Sequence, residues 1–235
     1  MKVLALDTVT ETCSVALWTE EGVFARVKQM ARGHAEEVLG MVHAVLLEAG
    51  LSLHDLDGIA AGVGPGSFTG VRISVAAAQG LAFGADLPVV GVTSLEALAA
   101  QVLRDGDNQA LACLDARMGE VYWGCFCAEP ARGVTTLGLL AVGVSSSVAP
   151  PFQGSFLGIG RGFDAYPVLQ ELPGLILPSQ ASRALPDARD IAKLGALRLA
   201  AGEGTDPANL SPVYVRDKVA LTEAERAAPK RAPAS

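Results

Sequence analysis

The run Gly64-Pro65-Gly66-Ser67-Phe68-Thr69-Gly70-Val71-Arg72 places glycines and a hydroxyl between two apolar stretches. Glycine lets a backbone approach a neighbour or a ligand closely, Ser67 can cap a helix, and a helix N-terminus favours an anion. Two uses follow: a seat for a phosphate, or a tight strand-to-helix turn whose glycines serve packing alone. Neither a Walker lysine nor an adjacent metal-binding Asp accompanies the run, which leaves the phosphate without its usual partners.

A second set of candidates lies at two strand ends. Val3–Asp7 (VLALD) is similar to Leu111–Asp115 (LACLD), and each is followed by a short turn and another apolar run. An apolar strand ending in Asp, a turn and a returning strand can aim a carboxylate and backbone N–H groups at one point. Asp7 with Thr8 and Thr10, and Asp115 with Arg117, are the residues so placed. Two such hairpins suggest a duplicated, two-lobed fold; chance likeness between short apolar strands is the competing reading.

The remaining reactive residue types form no site by spacing. His34 and His43 stand far apart along one helix, and His54 is isolated. Cys13, Cys113, Cys125 and Cys127 sit in apolar runs without CxxC spacing and read as reduced core residues, as in the cytosol. No GxSxG or HExxH occurs, and Gly158-Ile159-Gly160-Arg161-Gly162 reads as a turn rather than a dinucleotide fingerprint. No metal site is expected.

Alternating strands and helices must position these residues. Strands are expected at 2–8, 13–19, 23–29, 56–63 and 88–92, with helices at 34–49 and 67–84. Strand, helix, strand, helix, strand implies parallel pairing through helical crossovers. The polar break at 104–109 divides lobes 1–104 and 105–216, a helix near 188–202 returns to the first lobe, and 217–235 reads as a solvated tail. Both early helices are apolar beyond a single stripe. Their candidate partner-facing residues are Val38, Met41, Val42 and Val45 on the first, and Ile73, Ala76, Ala77 and Gly80 on the second. Burial inside the chain is the alternative to a protein partner.

Composition narrows the class. With 18 Lys and Arg against 25 Asp and Glu, net charge -7, the chain lacks the overall basic surface that grips nucleic acid. No signal peptide or membrane span is read, so the expected location is cytoplasmic.

Taken together, LALDTVTETCSVAL, GHAEEVLGMVHAVL, GVGPGSFTGVRISVAAAQGLA, GVTSLEALA and LDARMGEVYWGCF resemble the bacterial TsaB family, also called YeaZ. The resemblance covers most of 1–127 and thins beyond, resting there on Gly158–Tyr166 and Pro212-Val213-Tyr214-Val215-Arg216. It implies an α/β, duplicated two-lobed fold shared with actin, sugar kinases and heat-shock chaperones (the ASKHA fold). It also implies a part in making N6-threonylcarbamoyladenosine (t6A) at position 37 of tRNAs that read codons beginning with A. The family picture gives the chain a scaffold role beside the catalytic paralogue TsaD and the small ATPase TsaE, tRNA being met through the complex and a homodimer forming when the chain is alone.

The TsaD-type relatives carry a His-x-x-x-His pair on the helix after the strand near 89–92; here Ser94 and Leu98 stand at those positions. Leucine cannot ligate a metal, so the resemblance implies no metal and no transferase activity in isolation, and it leaves a metallopeptidase without ligands. Asp7, Thr8, Thr10, Asp115 and Arg117 match the turns that hold phosphates in active members of the fold, which leaves weak ATP or ADP binding open. An ATP-dependent kinase or carbamoyltransferase is the alternative function.

Overall fold

The computed structural model describes residues 1–103 and 109–216. The expected lobe boundary falls almost wholly, and the expected tail entirely, outside the described residues. The first sheet has the order β3-β2-β1-β4-β5, built from β1 (Val3–Asp7), β2 (Thr12–Thr19), β3 (Gly22–Gln29), β4 (Gly58–Gly62) and β5 (Val89–Val92). Helices α1 (His34–Ala49), α2 (Phe68–Ala85) and α3 (Ser94–Val102) alternate with its strands. Strand β1 pairs antiparallel with β2 and parallel with β4, as a crossover through α1 requires.

The second sheet repeats this plan. Its strands are β6 (Ala110–Arg117), β7 (Glu120–Glu129), β8 (Gly133–Thr136), β9 (Ala141–Val144), β10 (Phe156–Ile159) and β11 (Leu175–Ile176), in the order β11-β10-β6-β7-β8 with β9 also on β7. Strand β6 stands where β1 stands, antiparallel to the next strand and parallel to β10 on its other side. The hairpin duplication read from VLALD and LACLD is therefore a duplication of topology.

Burial explains why the strands read as continuous apolar runs. Val3 and Ala5 enter one core and Leu4 and Leu6 another, because successive side chains leave a strand on opposite faces and both faces are covered. The outer face of the first sheet packs on α1 and α2. Its inner face packs on α5 (Ala188–Ala200), α5 packs on α3, and α3 in turn lies against the second sheet, where Ala110, Ala112, Leu114 and Phe126 join the same core. One core thus runs through both lobes. Small residues make that middle layer thin: a Cβ at Gly195 of α5 would lie 2.5 Å from the Ala60 methyl. A third cluster, with Leu111, Cys113, Val121 and Phe163 of α4 (Gly162–Ala165), covers the far side of the second sheet.

Helix α5 returns to the first lobe as expected, and the chain then stays there as far as Val213, whose N–H donates to the Val63 carbonyl. Thr205 exchanges backbone hydrogen bonds of 2.9 Å with Val89, Gln79 of α2 donates to the Pro207 and Leu210 carbonyls, and Leu210 enters the first lobe's outer core. The second lobe is therefore not the whole of 105–216. Gly158–Gly162 is not the plain turn expected: β10 ends at Ile159 and the four-residue α4 starts at Gly162.

Candidate functional site

A cleft of about 1280 Å³ lies between the lobes. Its walls come from the β1–β2 turn (Thr8, Thr10, Glu11), the approach to α1 (Arg32, His34), the N-terminus of α2, the β6–β7 turn (Asp115, Arg117), Arg161 and the segment Val213–Arg216. The fold thus brings four of the five candidate turn residues to one cavity, although the two turns are far apart in sequence.

Asp7 is the exception. It is fully buried, does not line the cleft, and among the described residues neither carboxylate oxygen has a hydrogen-bond partner. Burial pushes its pKa up to about 7; the Val9 backbone N–H, outside hydrogen-bonding geometry, opposes this only in part and the Asp187 charge reinforces it. The reason is the face it occupies. Asp7 follows Val3 and Ala5 toward the middle layer, whereas Asp115 follows Leu111 and Cys113 to the opposite face of its own sheet. Laying the two aspartates on each other is one residue out of register, and a one-residue slip reverses the face.

The other turn residues are largely engaged by the chain itself. Thr8 Oγ1 donates to the Gly70 carbonyl at 2.7 Å, and Thr10 Oγ1 accepts from the Thr12 N–H at 3.3 Å. Asp115 Oδ1 accepts from the Tyr166 hydroxyl and from the Arg117 N–H, each at 2.8 Å. Tyr166 is correspondingly pushed up to about 12 by burial and by its bond to that carboxylate. Arg117 and Met118 both have positive φ, 60° and 55°, in the tight turn that projects them at the cleft rim.

The glycines around the start of α2 have a packing role. A Cβ at Gly66 would lie 2.7 Å from the Val9 carbonyl oxygen, and one at Gly70 would lie 2.1 Å from that of Thr8. The first turn of α2 is therefore pressed onto the β1–β2 turn. Ser67 caps α2 as expected, its Oγ accepting from the Gly70 N–H.

Ser94 and Leu98 of α3 are fully buried in the interior. The Ser94 N–H donates to the Gly64 carbonyl at 2.8 Å, and among the described residues its hydroxyl has no partner. Among the described residues, no group of three or more His, Cys, Asp or Glu is arranged to hold a metal ion.

The two early helices divide their apolar residues between inside and outside. Val38, Met41, Val42 and Val45 are buried in the outer core, which corrects their expected partner-facing placement: the chain's own sheet covers them. On α2, Ala76 and Gly80 are exposed and Ile73 and Ala77 half-buried. The outward residues of α1 are Leu39 and Leu47, 54% and 70% exposed, with Gly40 and His43. Both helices pack on the same face of the first sheet, so these outward strips share one side of the protein.

Comparison with known proteins accords with this architecture. The chain is 39% identical over 224 residues, 94% of its length and 96% of the relative's, to the tRNA threonylcarbamoyladenosine biosynthesis protein TsaB of Escherichia coli (strain K12). The chain belongs to the TsaB (YeaZ) family. The Haemophilus influenzae TsaB is 36% identical, with 93% of this chain and 95% of the relative covered. Among solved structures, YeaZ from Pseudomonas aeruginosa is 39% identical with a TM-score of 0.82, covering 91% of this chain and 99% of that one. The profile of the family described as TsaD, tRNA N6-adenosine threonylcarbamoyltransferase, matches residues 22–130. The duplicated sheets and this kinship give the chain the two-lobed ASKHA fold.

Sequence reasoning named no role for Glu11, Tyr166, Arg161 or Arg216. Glu11 and Arg161 form an ion pair between the two lobes at the cleft. Only the meeting of distant segments makes these residues a set; the PVYVR run was visible, its contacts were not.

Proposed function

We propose that this chain is a non-catalytic subunit of the machinery that places the threonylcarbamoyl group on adenosine 37 of tRNAs reading codons that begin with A. The reading rests on its membership of the TsaB family over nearly its full length. In it, the chain pairs with a TsaD-like catalytic paralogue, works in the cytoplasm with a TsaE-like ATPase, and meets tRNA through the complex. The net charge of -7 fits a subunit that leaves most phosphate contacts to others.

The outward strip of α1 and α2 supports the pairing. Leu39, Leu47, Ala76, Gly80 and Phe83 offer exposed apolar and small side chains, and a Cβ at Gly40 or Gly80 would meet nothing within 4 Å among the described residues. Small residues let another helix pair approach closely. The residues matched by the TsaD profile include both helices, so the partner presents a helix pair of the same plan. The same strip serves a homodimer when the partner is absent. Burial of Ser94 and Leu98, side chains without metal-ligating capacity in that surrounding, supports a non-catalytic role.

Light scattering after size exclusion tests this: mixing with the TsaD-like protein of the same cell should give a heteromeric peak, which Ala76→Glu should abolish. A wild-type chain that ignores that protein would overturn the pairing.

Weak nucleotide binding is a second reading, supported by the cleft that Thr8, Thr10, Asp115 and Arg117 line. Calorimetric titration with ATP and ADP tests it, and loss of any heat in Arg117→Ala would tie binding to the cleft. Turnover of ATP by the purified chain would favour the kinase or carbamoyltransferase alternative over the scaffold.

A further inference from the structure

The last described segment crosses from one lobe to the other in four residues. At one end, the Val213 N–H donates to the Val63 carbonyl at 2.8 Å in the first lobe. Next to it, Tyr214 packs its ring 5.8 Å from that of Phe68 and accepts a hydrogen bond from Arg72 Nε at 3.1 Å, both on the first turns of α2. The Arg72 guanidinium lies 3.8 Å from the centre of the Phe68 ring, closing a three-residue cluster. At the other end, Arg216 donates to the Ala116 carbonyl at 3.1 Å, pairs with Glu120, and stands 5.8 Å from the Tyr122 ring centre. Those three residues belong to the β6–β7 hairpin of the second lobe.

We infer that residues 213–216 act as a strap that couples the N-terminal face of α2 to the β6–β7 hairpin across the cleft. The two lobes share a core at the level of α3 and α5. At the cleft itself, among the described residues, two charged contacts join them: Glu11 with Arg161, and Arg216, reached through the strap, with Glu120. Residues 213–216 all line the cleft, so releasing the strap also changes its wall.

The coupling has a physical basis in chain length. Only Val215 separates the Tyr214 and Arg216 anchors, so a backbone displacement at one is carried to the other across about 7 Å of chain. A contact made on the Phe68–Arg72–Tyr214 cluster is therefore felt at Ala116 and Glu120. Phe68 and Tyr214 are 47% and 50% exposed, so a macromolecule or ligand can reach the cluster directly. Differential contact with the fastened and released states is what would make the strap respond. The inference rests on the chain's own contacts and holds whatever partner the α1–α2 strip takes.

Hydrogen–deuterium exchange followed by mass spectrometry on the full chain tests it, because each anchor can be cut and the far one observed. Arg216→Ala removes contacts in the second lobe alone; it should raise exchange by several-fold at residues 63 and 68–72 as well as at 116–122. Tyr214→Ala should reciprocally raise exchange at 116–122. Glu120→Ala removes the latch from the hairpin side and should reproduce the Arg216→Ala pattern at 68–72 without altering the strap itself. Circular dichroism melting establishes that each variant is folded. Changes confined to the residues that lose their own contact would overturn the coupling and leave 213–216 as two independent surface attachments.

Discussion

The Asp7 carboxylate sits over the backbone of Gly62 so closely that a Cβ built there would lie 2.0 Å from Asp7 Oδ1. Strands β1 and β4 are parallel neighbours, and Gly62 is the position at which β4 makes room for the last side chain of β1. Gly62→Ala should destabilise the chain by about 1–3 kcal/mol or more, because Asp7 has no free volume in the middle layer. Urea unfolding followed by far-UV circular dichroism measures the effect; a midpoint matching wild type would mean that Asp7 can swing aside.

Asp7 also makes stability depend on pH. Its pKa of about 7 in the fold stands above the roughly 3.9 of an unfolded aspartate. Between those values the folded state binds more protons, so this stabilisation is full below pH about 4 and is lost as pH rises through about 7, by up to ~1.4 kcal/mol per unit. Asp190, raised to about 6 by burial and by the Asp187 charge, contributes in the same direction. The expected outcome is a shallower decline for Asp7→Asn than for wild type between pH about 5 and 7, with a residue of slope left to Asp190. Parallel profiles would show that Asp7 is solvated or paired.

Arg198 and Glu96 form an ion pair at 2.6 Å with side chains only 7% and 12% exposed, joining α5 to α3. Arg198 also donates to the Gly91 carbonyl, and Glu96 completes the capping box of α3 with Thr93. Arg198→Ala strands a buried carboxylate and should cost about 3–5 kcal/mol. Adding Glu96→Gln should restore part of that, and a double-mutant cycle on unfolding free energies gives the coupling directly. Additive single effects would remove the pair from any stabilising role.

The two faces of the early helices should separate cleanly under charge substitution. Val42 is 3% exposed and packs under the first sheet, so Val42→Glu should disrupt folding, seen as lost thermal cooperativity. Ala76 is exposed, so Ala76→Glu should keep the melting curve within about 0.5 kcal/mol of wild type while losing heteromer formation. Loss of assembly only together with loss of folding would count against the outward strip as the docking face.

Much of this was legible in the residues themselves. The spacing of apolar positions determined the alternation of strands and helices in the first lobe, down to a first helix spanning His34–Ala49. VLALD and LACLD announced the duplicated hairpin, and Ser67 announced the cap of α2. Long motifs such as GVGPGSFTGVRISVAAAQGLA carried the family, because many residues at fixed spacing leave little room for chance.

Which face each residue turned to was decided only by tertiary structure. Val42 and Leu39 are both apolar helix residues, yet one is buried by the sheet and the other is 54% exposed, since helix composition does not say which side meets a neighbour. Asp7 and Asp115 end similar strands, but the first is sealed under Gly62 and the second lines the cleft, because one step along a strand exchanges its faces. The Arg161–Glu11 pair and the Arg216 strap join segments remote in sequence, and a local pattern holds no information about such meetings until the shared core of α3 and α5 has fixed how the lobes face each other.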